Sequence, residues 1–479
     1  MGETAERLNE LETVEAAYVK PAGEPPEATG EAESGVLNDM TPLAESPPAH
    51  TPDFVSRQGY LEAAPEGIDA RYAWRFSGGK GSDVGVIDLE WGWNFSHEDH
   101  QENQGGVVGG TNSSNDNHGT AVIGEIGADE NEFGVTGIAP EANVSAVAFS
   151  MPTARAIRLA ANRLGRGDIM LLEIHRPGPR NDFQGRADQD GYIAIEWWPD
   201  DWAAIRYAVA RGVVVVEAAG NGDEDLDDSI YDERPSGFPS DWTNPFRRGD
   251  RDSGAIVVGA GAPPPGTHGS NWGPDRSRLG FSNYGSLVDA QGWGREVTCT
   301  GYGDLQGGSN RNEWYTDRFS GTSSASPIVV GALATVQGIL RRYGRTQLSP
   351  LRARNLLRST GSPQQDAPGR PSSQRIGNRP NLRELLARAF QTRTWTGVQF
   401  RGTVPANSTR RWFTFRWPAE WHVLWTVIPT TPRSGGPQIR WNVQVERATH
   451  QYITYWISIT NVTSSSVDVE ARYAVLGET

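Results

Sequence analysis

The stretch FSGTSSASPIVVGALATVQGIL, residues 319–340, joins a run of small residues to a long apolar segment without any charge. From Pro327 onward it is apolar on nearly every face, which predicts a helix through the middle of a large domain. Pro327 suits the first turn of such a helix, because the N–H group that proline lacks would be unpaired there. The small residues before it are typical of a loop that caps a buried helix. Alternatively, Ser323 faces backbone N–H groups and the positive end of the helix dipole, which would favour an anionic intermediate and predicts a nucleophile.

The bulk composition limits the classes of function. Of 479 residues, 59 are acidic and 44 are basic, which gives a formal net charge of −15. This excess of negative charge argues against nucleic acid or an anionic membrane surface as the main partner. The first residues have neither the basic start nor the apolar segment of a signal peptide, and no stretch is predicted to span a bilayer, so a cytoplasmic location is expected. The single cysteine, Cys299, excludes an internal disulfide framework and is expected to be a buried structural thiol.

The order of patterns along the chain predicts three segments. Residues 1–52 are rich in Glu, Pro, Ala and Gly, which predicts a flexible acidic leader. In residues 53–393 short apolar strands alternate with helical patterns, which predicts a three-layer α/β domain with a parallel sheet. Residues 394–479 alternate with a period of two, which predicts a small all-β, sandwich-like domain rich in Trp. The predicted strands of the α/β domain are Val84–Asp88, Val144–Phe149, Ile169–Ile174, Val213–Ala218 and Ala255–Val258, and its predicted helices include His118–Ile126, Ala154–Leu164, Asp200–Arg211 and Pro327–Arg341.

Two further stretches supply partners for Ser323. The strand DVGVIDLEWGW ends its apolar run on Asp88, and NDNHGTAVIGEIGA places His118 at the start of a helix. Each alone has an ordinary structural explanation, because Asp often forms turns and His often caps a helix. Ligand sites of α/β folds, however, lie outside the carboxyl ends of parallel strands. The chain order Asp88, His118, Ser323 is one of the known orders of the serine-hydrolase triad.

Four motifs resemble those of the subtilisin-like serine peptidases. They are VGVIDLEWGWNFSHED around Asp88, HGTAVIGEIGADENEFGVTGIAP from His118, FSGTSSASPIVVGAL around Ser323, and VVVVEAAGNGD, which carries the oxyanion asparagine, here Asn221. The resemblance covers roughly residues 59–386 and implies the subtilisin-like fold. It also implies that Ser323 attacks the scissile carbonyl, His118 takes its proton, and Asp88 orients the imidazole. Asn221 and the Ser323 N–H would bind the oxyanion, and no cofactor is implied for catalysis.

The substrate-binding strand departs from the family pattern. Where relatives have a serine and glycines, GDIMLLEIHRPGPR has Glu173, Ile174, His175 and Arg176. Their side chains are expected to narrow the groove or to demand particular substrate groups. An internal ion pair between Glu173 and Arg176 or another basic residue is an equally open explanation. By resemblance, the first wall of the specificity pocket is small and neutral, and consists of Ala218, Ala219 and Gly220.

The loop GADENEFGVTG predicts a structural calcium site by resemblance. Subtilisins with a high-affinity calcium site have a loop of this length between the histidine helix and the next strand. By that alignment Asn131 and the backbone carbonyls of Asp129, Phe133 and Val135 would be ligands, and Asp99 would supply a carboxylate. Hard oxygen ligands suit calcium. A solvated acidic loop explains the same residues equally well.

The expected function is that of a serine endopeptidase acting on an extended polypeptide. The alternative is a catalytically retired binding protein that uses its Trp-rich carboxy-terminal domain for recognition. The aromatic residues of RRWFTFRWPAEWHVLW would then face a partner or a carbohydrate, although such residues on strands commonly fill a core. The presence of all four catalytic-type residues favours the enzyme.

The leader is itself a candidate inhibitor. In AAYVKPAGEPP, Tyr18 and Val19 would occupy pockets of the substrate groove, while Pro21, Pro25 and Pro26 stiffen the segment. Because the segment is tethered, weak affinity would suffice for inhibition. An unstructured tail without a regulatory role is the alternative.

Overall fold

The computed structural model describes residues 2–9, 14, 16–27, 50–249, 251–391, 394–419, 421–449 and 451–478. The chain divides into two compact units, Met1–Arg388 and Ala389–Thr479. The boundary between them lies five residues before the end predicted for the α/β domain. The described leader residues belong to the first unit, and residues 28–49 of the leader lie outside the described residues.

A seven-stranded parallel sheet forms the centre of the first unit. The central strands are almost continuously apolar because helices cover both faces. The strands, in their order across the sheet, are β2 (Gln104–Gly109), β3 (Asn143–Ala148), β1 (Gly85–Glu90), β4 (Ile169–Leu172), β7 (Val214–Ala218), β8 (Ile256–Gly261) and β9 (Ala290–Trp293). Two antiparallel pairs accompany the sheet, β5 (His175–Pro177) with β6 (Tyr192–Ala194), and β10 (Val297–Thr300) with β11 (Tyr315–Phe319).

Helices pack on both faces of this sheet and complete the predicted three layers. The helices are α1 (Gly2–Asn9), α2 (Ala70–Ala73), α3 (Asn117–Gly127), α4 (Thr153–Arg163), α5 (Pro199–Ala210), α6 (Thr322–Arg342), α7 (Pro350–Ser359) and α8 (Leu382–Ala389), the last of which ends at the unit boundary. The helices α4 and α5 cover one face, and α3 and α6 cover the other. Side chains alternate along a strand, so Ile87 and Leu89 of β1 face α4 and α5. Asp88 and Glu90 therefore face α3 and α6.

The central helix α6 begins five residues before the predicted start at Pro327. Gly321, with φ 112°, turns the chain into the helix in a conformation that favours glycine. Ser323 therefore lies within the first turn of α6, which is buried from Thr322 to Leu340. By length and composition α6 is apolar enough to cross a membrane, but here it is the buried core helix of the unit. Cys299 on β10 is also buried, as expected.

The second unit consists of two antiparallel sheets. Its strands are β12 (Trp395–Val404), β13 (Thr409–Phe413), β14 (Trp417–Pro418), β15 (Trp421–Pro429), β16 (Ile439–Glu446), β17 (Tyr452–Asn461) and β18 (Val467–Glu478). One sheet has the order β12-β18-β15, and in the other β17 pairs with β13, β14 and β16. Valine and isoleucine side chains from both sheets form a shared core, which confirms the predicted all-β sandwich. Trp417 and Trp425 pack with Tyr455 and Tyr473, whereas Phe415 is exposed.

Candidate active site

Ser323 lies at the buried amino-terminal end of α6. Its side chain is fully buried, and its Oγ has no hydrogen-bond partner among the described residues. The preceding residue, Thr322, donates from its backbone N–H and its hydroxyl to Asn221 Oδ1, at 3.0 and 2.9 Å. The first turn of a helix offers free N–H groups and a positive dipole end. The arrangement therefore puts a serine hydroxyl where negative charge is favoured.

His118, the second residue of α3, is held by a carboxylate. Its Nδ1 lies 2.8 Å from Glu90 Oε2, and both side chains are almost wholly buried. The edge of its ring packs against Phe319, which precedes α6 by three residues, with centroids 5.4 Å apart. Its Nε2 has no hydrogen-bond partner in the part of the chain that the structure describes. The imidazole is thus oriented through one nitrogen, and the other nitrogen is free to take a proton.

The carboxylate on His118 is Glu90, in place of the Asp88 that the motif predicts. Asp88 Oδ2 instead accepts a hydrogen bond from Trp93 Nε1 at 2.7 Å. The two carboxyl groups are two residues apart on β1 and so share the face that meets α3. Glu90 is closer to the carboxyl end of the strand and its side chain is longer by one methylene group, so it is Glu90 that contacts the imidazole. Burial, and next the Glu90 carboxyl, raise the pKa of Asp88 well above its usual range.

Glu173 completes a cluster of three buried carboxyl groups, Asp88, Glu90 and Glu173, which we call the carboxyl cluster. Its backbone N–H donates to Leu89 O at 3.2 Å, so Glu173 follows β4 directly beside the end of β1. Burial raises the pKa of Glu173 well above its usual range, and the charges of Asp88 and Glu90 add to the effect. The Ser323 hydroxyl faces this carboxyl and acts to lower its pKa. The two groups do not form a complete hydrogen bond, and both lack a partner among the described residues.

The charge balance of the carboxyl cluster determines its protonation. Burial acts to lower the pKa of His118, but the charge and hydrogen bond of Glu90 outweigh this, and the net pKa is raised. One imidazolium can compensate only one carboxylate in a buried site. Asp88 and Glu173, whose pKa values are both raised, are therefore expected to hold protons at neutral pH.

Asn221 contacts the start of α6 through Thr322. With its Oδ1 occupied by Thr322, its Nδ2 donates to Gln189 Oε1 at 3.2 Å. Its backbone N–H donates to His175 Nδ1, also at 3.2 Å. Because Asn221 Oδ1 accepts both hydrogen bonds from Thr322 at the start of α6, the amide nitrogen Nδ2 points away from that helix. This orientation suits a donor to an oxyanion.

The predicted pocket wall, Ala218, Ala219 and Gly220, is fully buried and backed by other chain segments. Asn283 Nδ2 donates to Ala219 O and to Tyr192 O, both at 2.7 Å, and so joins the wall to the β5–β6 hairpin. A Cβ on Gly222 would lie 2.2 Å from Tyr192 O, so only glycine allows this approach. Arg176, on β5, pairs with Asp201 at 3.6 Å and not with Glu173. The predicted ion pair between Glu173 and Arg176 is therefore wrong.

A leader segment, residues 16–27, lies along β5 and is called the groove segment. Glu24 pairs with His175 in an antiparallel bridge, with N···O distances of 3.2 and 3.1 Å. Arg176 Nη1 donates to Pro21 O at 2.7 Å. Pro26 is buried, and Glu27 Oε1 accepts from the Tyr302 hydroxyl at 2.8 Å.

The groove segment is also anchored by its own side chains. Tyr18 packs against Phe238, with ring centroids 4.6 Å apart, and its hydroxyl donates to Asp200 at 2.5 Å. Lys20 Nζ lies 2.6 Å from Asp200 Oδ2 and 2.9 Å from Asp201 Oδ1. Val19 is 51% exposed and fills no pocket, contrary to the prediction. The expectation of a flexible leader does not hold for these residues, because their partners come from distant parts of the chain.

The candidate calcium residues Asp99 and Asn131 are in contact, but through hydrogen-bond donors. Asn131 Oδ1 accepts from the Phe133 N–H at 3.0 Å, which turns its Nδ2 toward Asp99 Oδ1 at 2.8 Å. Asp99 Oδ2 accepts from the Val135 N–H at 2.8 Å and from the Tyr315 hydroxyl at 2.9 Å. Both carboxylate oxygens are therefore occupied by donors, and the Asn131 oxygen is turned away. Calcium needs oxygen lone pairs directed at one point, so this arrangement does not fit the ion.

Sequence reasoning missed three residues of the site, which are Glu90, Gln189 and Tyr192. A signal for Glu90 was present, because a carboxylate two residues after Asp88 must share its face of the strand. Gln189 lies between β5 and β6, Tyr192 begins β6, and no local pattern points from there to Asn221.

Comparison with known proteins identifies the family of this chain. Residues 79–378 match the family model described as the subtilase family of peptidases. An intracellular serine protease of Paenibacillus polymyxa is 27% identical over 304 residues, which is 59% of this chain and 76% of the relative. Subtilisin DY of Bacillus licheniformis is 27% identical over 297 residues, which is 60% of this chain and 86% of the relative. The match to a solved protease structure from Pseudoalteromonas arctica covers 71% of this chain and 100% of the solved chain, with 20% sequence identity and a TM-score of 0.48. The chain belongs to the subtilase family and is a subtilisin-like serine peptidase.

Proposed function

We propose that the protein is an endopeptidase in which Ser323, His118 and Glu90 form the catalytic triad. The observation that carries the proposal is the buried pairing of His118 Nδ1 with Glu90 Oε2 at 2.8 Å, which leaves Nε2 unpaired. A serine hydroxyl is almost entirely protonated at neutral pH and needs such a base. The substrate is a polypeptide, bound in extended form.

In the proposed reaction, Ser323 Oγ attacks the scissile carbonyl carbon while its proton passes to His118 Nε2. Glu90 accepts the Nδ1–H bond throughout and stabilises the imidazolium without taking its proton. Asn221 Nδ2 and the Ser323 N–H donate to the oxyanion of the tetrahedral intermediate. The imidazolium then protonates the leaving amine, and water hydrolyses the acyl-enzyme in the reverse sequence. No catalytic cofactor takes part.

Within this scheme, we assign Asp88 a supporting role in place of the predicted triad role. Burial, and next the Glu90 carboxyl, raise its pKa, which favours the protonated form and would avoid a second negative charge beside Glu90. Its bond from Trp93 Nε1 fixes its position. Asp88 is therefore a positioning residue for Glu90.

The test of the catalytic proposal is labelling and turnover in matched serine variants. Ser323→Ala should abolish labelling by a fluorophosphonate probe and remove nearly all hydrolysis of a casein substrate. Ser324→Ala is the control, because Ser324 is equally buried in the same helical turn but donates to the backbone carbonyl of Trp293 at 2.9 Å. Labelling of the Ser323→Ala protein would contradict the proposal. Failure of the folded protein to react, even when Tyr18→Ala and Lys20→Ala loosen the groove segment, would favour a binding protein.

We also propose that the groove segment inhibits the peptidase domain of its own chain. Its antiparallel bridge with His175 occupies the edge that an extended substrate would use, and the charge of Glu27 acts on His118. A tethered segment acts at high effective concentration. In the full-length chain, Tyr18→Ala with Lys20→Ala should raise the initial rate on a short peptide, whereas Val19→Ala, at an exposed position, should not. Equal initial rates for the wild-type chain, the Tyr18→Ala, Lys20→Ala double variant and the Val19→Ala variant would exclude inhibition by the groove segment.

The loop around Asn131 is proposed to hold its shape without calcium. The support is the saturation of both Asp99 oxygens by protein donors. Burial raises the pKa of Asp99 to about 7, which is expected for a carboxyl group that lacks a neighbouring cation.

A further inference from the structure

The side chain of Glu24 in the groove segment ends among three polar groups, His175, Gln189 and Tyr192, which we call the donor pocket. Gln189 Nε2 donates to Glu24 Oε1 at 3.0 Å and to the Pro25 carbonyl at 3.2 Å. His175 Nε2 lies 4.0 Å from the same Glu24 oxygen. Burial raises the pKa of the Glu24 carboxyl, and its hydrogen bonds with Gln189 and the Tyr192 hydroxyl act against this rise. One carboxyl group thus meets all three residues.

The amide of Gln189 is fixed in a donating orientation. Its Oε1 accepts from Asn221 Nδ2 at 3.2 Å, which leaves only its Nε2 to face the groove. Gln189 is buried and has φ 59°, a left-handed conformation that is unusual for a residue other than glycine. Such backbone conformations persist where the surrounding structure holds them and are frequent at functional sites. A rotated amide would lose both the Asn221 bond and the Glu24 bond.

His175 is likewise fixed as a donor. Its Nδ1 accepts the Asn221 backbone N–H at 3.2 Å, so in the neutral ring the proton resides on Nε2. Burial lowers its pKa to about 3, so the ring is neutral. The Nε2 atom is fully buried, has no hydrogen-bond partner among the described residues, and lies on the Glu24 side.

Tyr192 completes the set of donors. Its oxygen accepts the Arg186 backbone N–H at 3.1 Å, which directs its own hydrogen elsewhere. Its ring packs on His175, with centroids 4.6 Å apart. The donor pocket therefore offers three neutral N–H or O–H groups. A carboxylate can accept all three, whereas the NH₂ group of a glutamine side chain would oppose one of these donors.

We propose that the donor pocket selects substrates with a glutamate at the position that pairs with His175. The inference rests on the proposed function, since a substrate peptide must replace the groove segment on β5 and direct its own side chain at the pocket. Glu27, three residues after Glu24, acts on His118. The selected glutamate is therefore expected two or three residues before the cleaved bond. Through Gln189, a bound glutamate also holds the amide of Asn221 in place.

The first test is a set of quenched peptides that differ only in Glu, Gln or Ala at each position before the cleaved bond. We expect kcat/KM to be about tenfold higher or more for Glu than for Gln, at one of the two positions named. Gln189→Glu keeps an acceptor for Asn221 but places a carboxylate against the substrate, so it should reverse the preference. Tyr192→Phe keeps the ring contact with His175 and should reduce the preference. Equal cleavage of all peptides by the wild-type enzyme would overturn the inference while leaving the peptidase proposal intact.

A second test does not depend on turnover. In the full-length Ser323→Ala protein, we expect Glu24→Gln to speed amide hydrogen exchange in residues 16–27 by about tenfold, because the carboxylate bonds are lost. Val19→Ala is the matched control in the same segment. Unchanged exchange in the Glu24→Gln protein would show that the donor pocket does not recognise the carboxylate, whatever the chain catalyses.

Discussion

Two polar regions of the site handle polar groups in opposite ways. One is the carboxyl cluster, three buried acids of which Glu90 contacts the imidazole of His118. The other is the donor pocket with Asn221, whose neutral groups fix one another's orientations. Buried charge must be paired or neutralised by a proton, whereas buried neutral donors need only acceptors. The carboxyl cluster is therefore sensitive to protonation, and the donor pocket is sensitive to geometry.

In the proposed mechanism, this difference divides the reaction between the two regions. The carboxyl cluster would support the base, because Glu90 raises the pKa of His118 against the effect of burial. The donor pocket would support the substrate and the oxyanion, because Gln189 contacts both Glu24 and Asn221. Substitutions that keep the shape of a side chain but remove its charge should therefore change activity most in the carboxyl cluster. Substitutions that remove a hydrogen-bond donor should change activity most in the donor pocket and at Asn221.

The largest expected effect distinguishes the two carboxyl groups of β1. Glu90→Gln should lower kcat by about 10⁴, because the amide cannot hold the imidazole in its reactive tautomer or stabilise its charge. Asp88→Asn should lower kcat by less than about tenfold, because Asn mimics a protonated Asp and can still accept from Trp93. Steady-state kinetics on one peptide measure both. A greater loss in Asp88→Asn would restore the assignment that the sequence motif predicts.

In the second region, Asn221→Ala should lower kcat by about 10² to 10³ with little change in KM, because the lost donor acts on the oxyanion and not on the bound substrate. The comparison requires active-site titration with the fluorophosphonate probe, so that only folded enzyme is counted. An effect confined to KM would mean that Asn221 serves the groove through Gln189 and not the oxyanion.

A smaller effect concerns Glu125, a buried acid on α3 that is not part of the carboxyl cluster. Both of its oxygens lack a hydrogen-bond partner among the described residues, and burial raises its pKa well above the usual range. The folded state then binds a proton that the unfolded state releases, so stability falls as pH rises above the ordinary pKa of the group. Glu125→Gln cannot ionise. Its unfolding free energy should exceed that of the wild type by an amount that grows with pH, at most about 1.4 kcal/mol per pH unit.

Urea unfolding at pH 5 and pH 8 measures this difference. The lowered pKa values of the buried histidines affect wild type and variant equally and cancel. Glu132→Gln, at an exposed position, is the control and should show no such difference. A gap between Glu125→Gln and wild type that stays constant from pH 5 to pH 8 would show that Glu125 is ionised in the folded protein.

The smallest expected effect is that of chelation. Because Asp99 is saturated by donors, EGTA should leave the midpoint of thermal unfolding unchanged. A calcium ion present at one hundred times its dissociation constant would contribute about 2.7 kcal/mol, and its removal would be easily measured. A clear drop in the midpoint would show that the loop rearranges around an ion.

Much of the fold followed from local patterns. The runs of β-branched residues predicted β1, β3, β4, β7 and β8 to within a few residues, because strands covered on both faces are continuously apolar. By contrast, β2 and β9 were not predicted. They read QGGVVG and AQGW, and their glycine content hides the strand pattern. Their pairing with neighbouring strands overrides that weak propensity.

Local sequence patterns place Ser323 just ahead of a buried helix predicted from Pro327, His118 at the start of another helix, and Asp88 at the carboxyl end of a parallel strand. Local patterns suffice for this, because helix starts and strand ends are encoded within a few residues. The three-dimensional arrangement was needed to show that Glu90, and not Asp88, contacts His118, since that depends on strand placement and side-chain reach. It was also needed to show that Glu24 meets Gln189, 165 residues away, because a contact between the leader and the β5–β6 hairpin has no local signature.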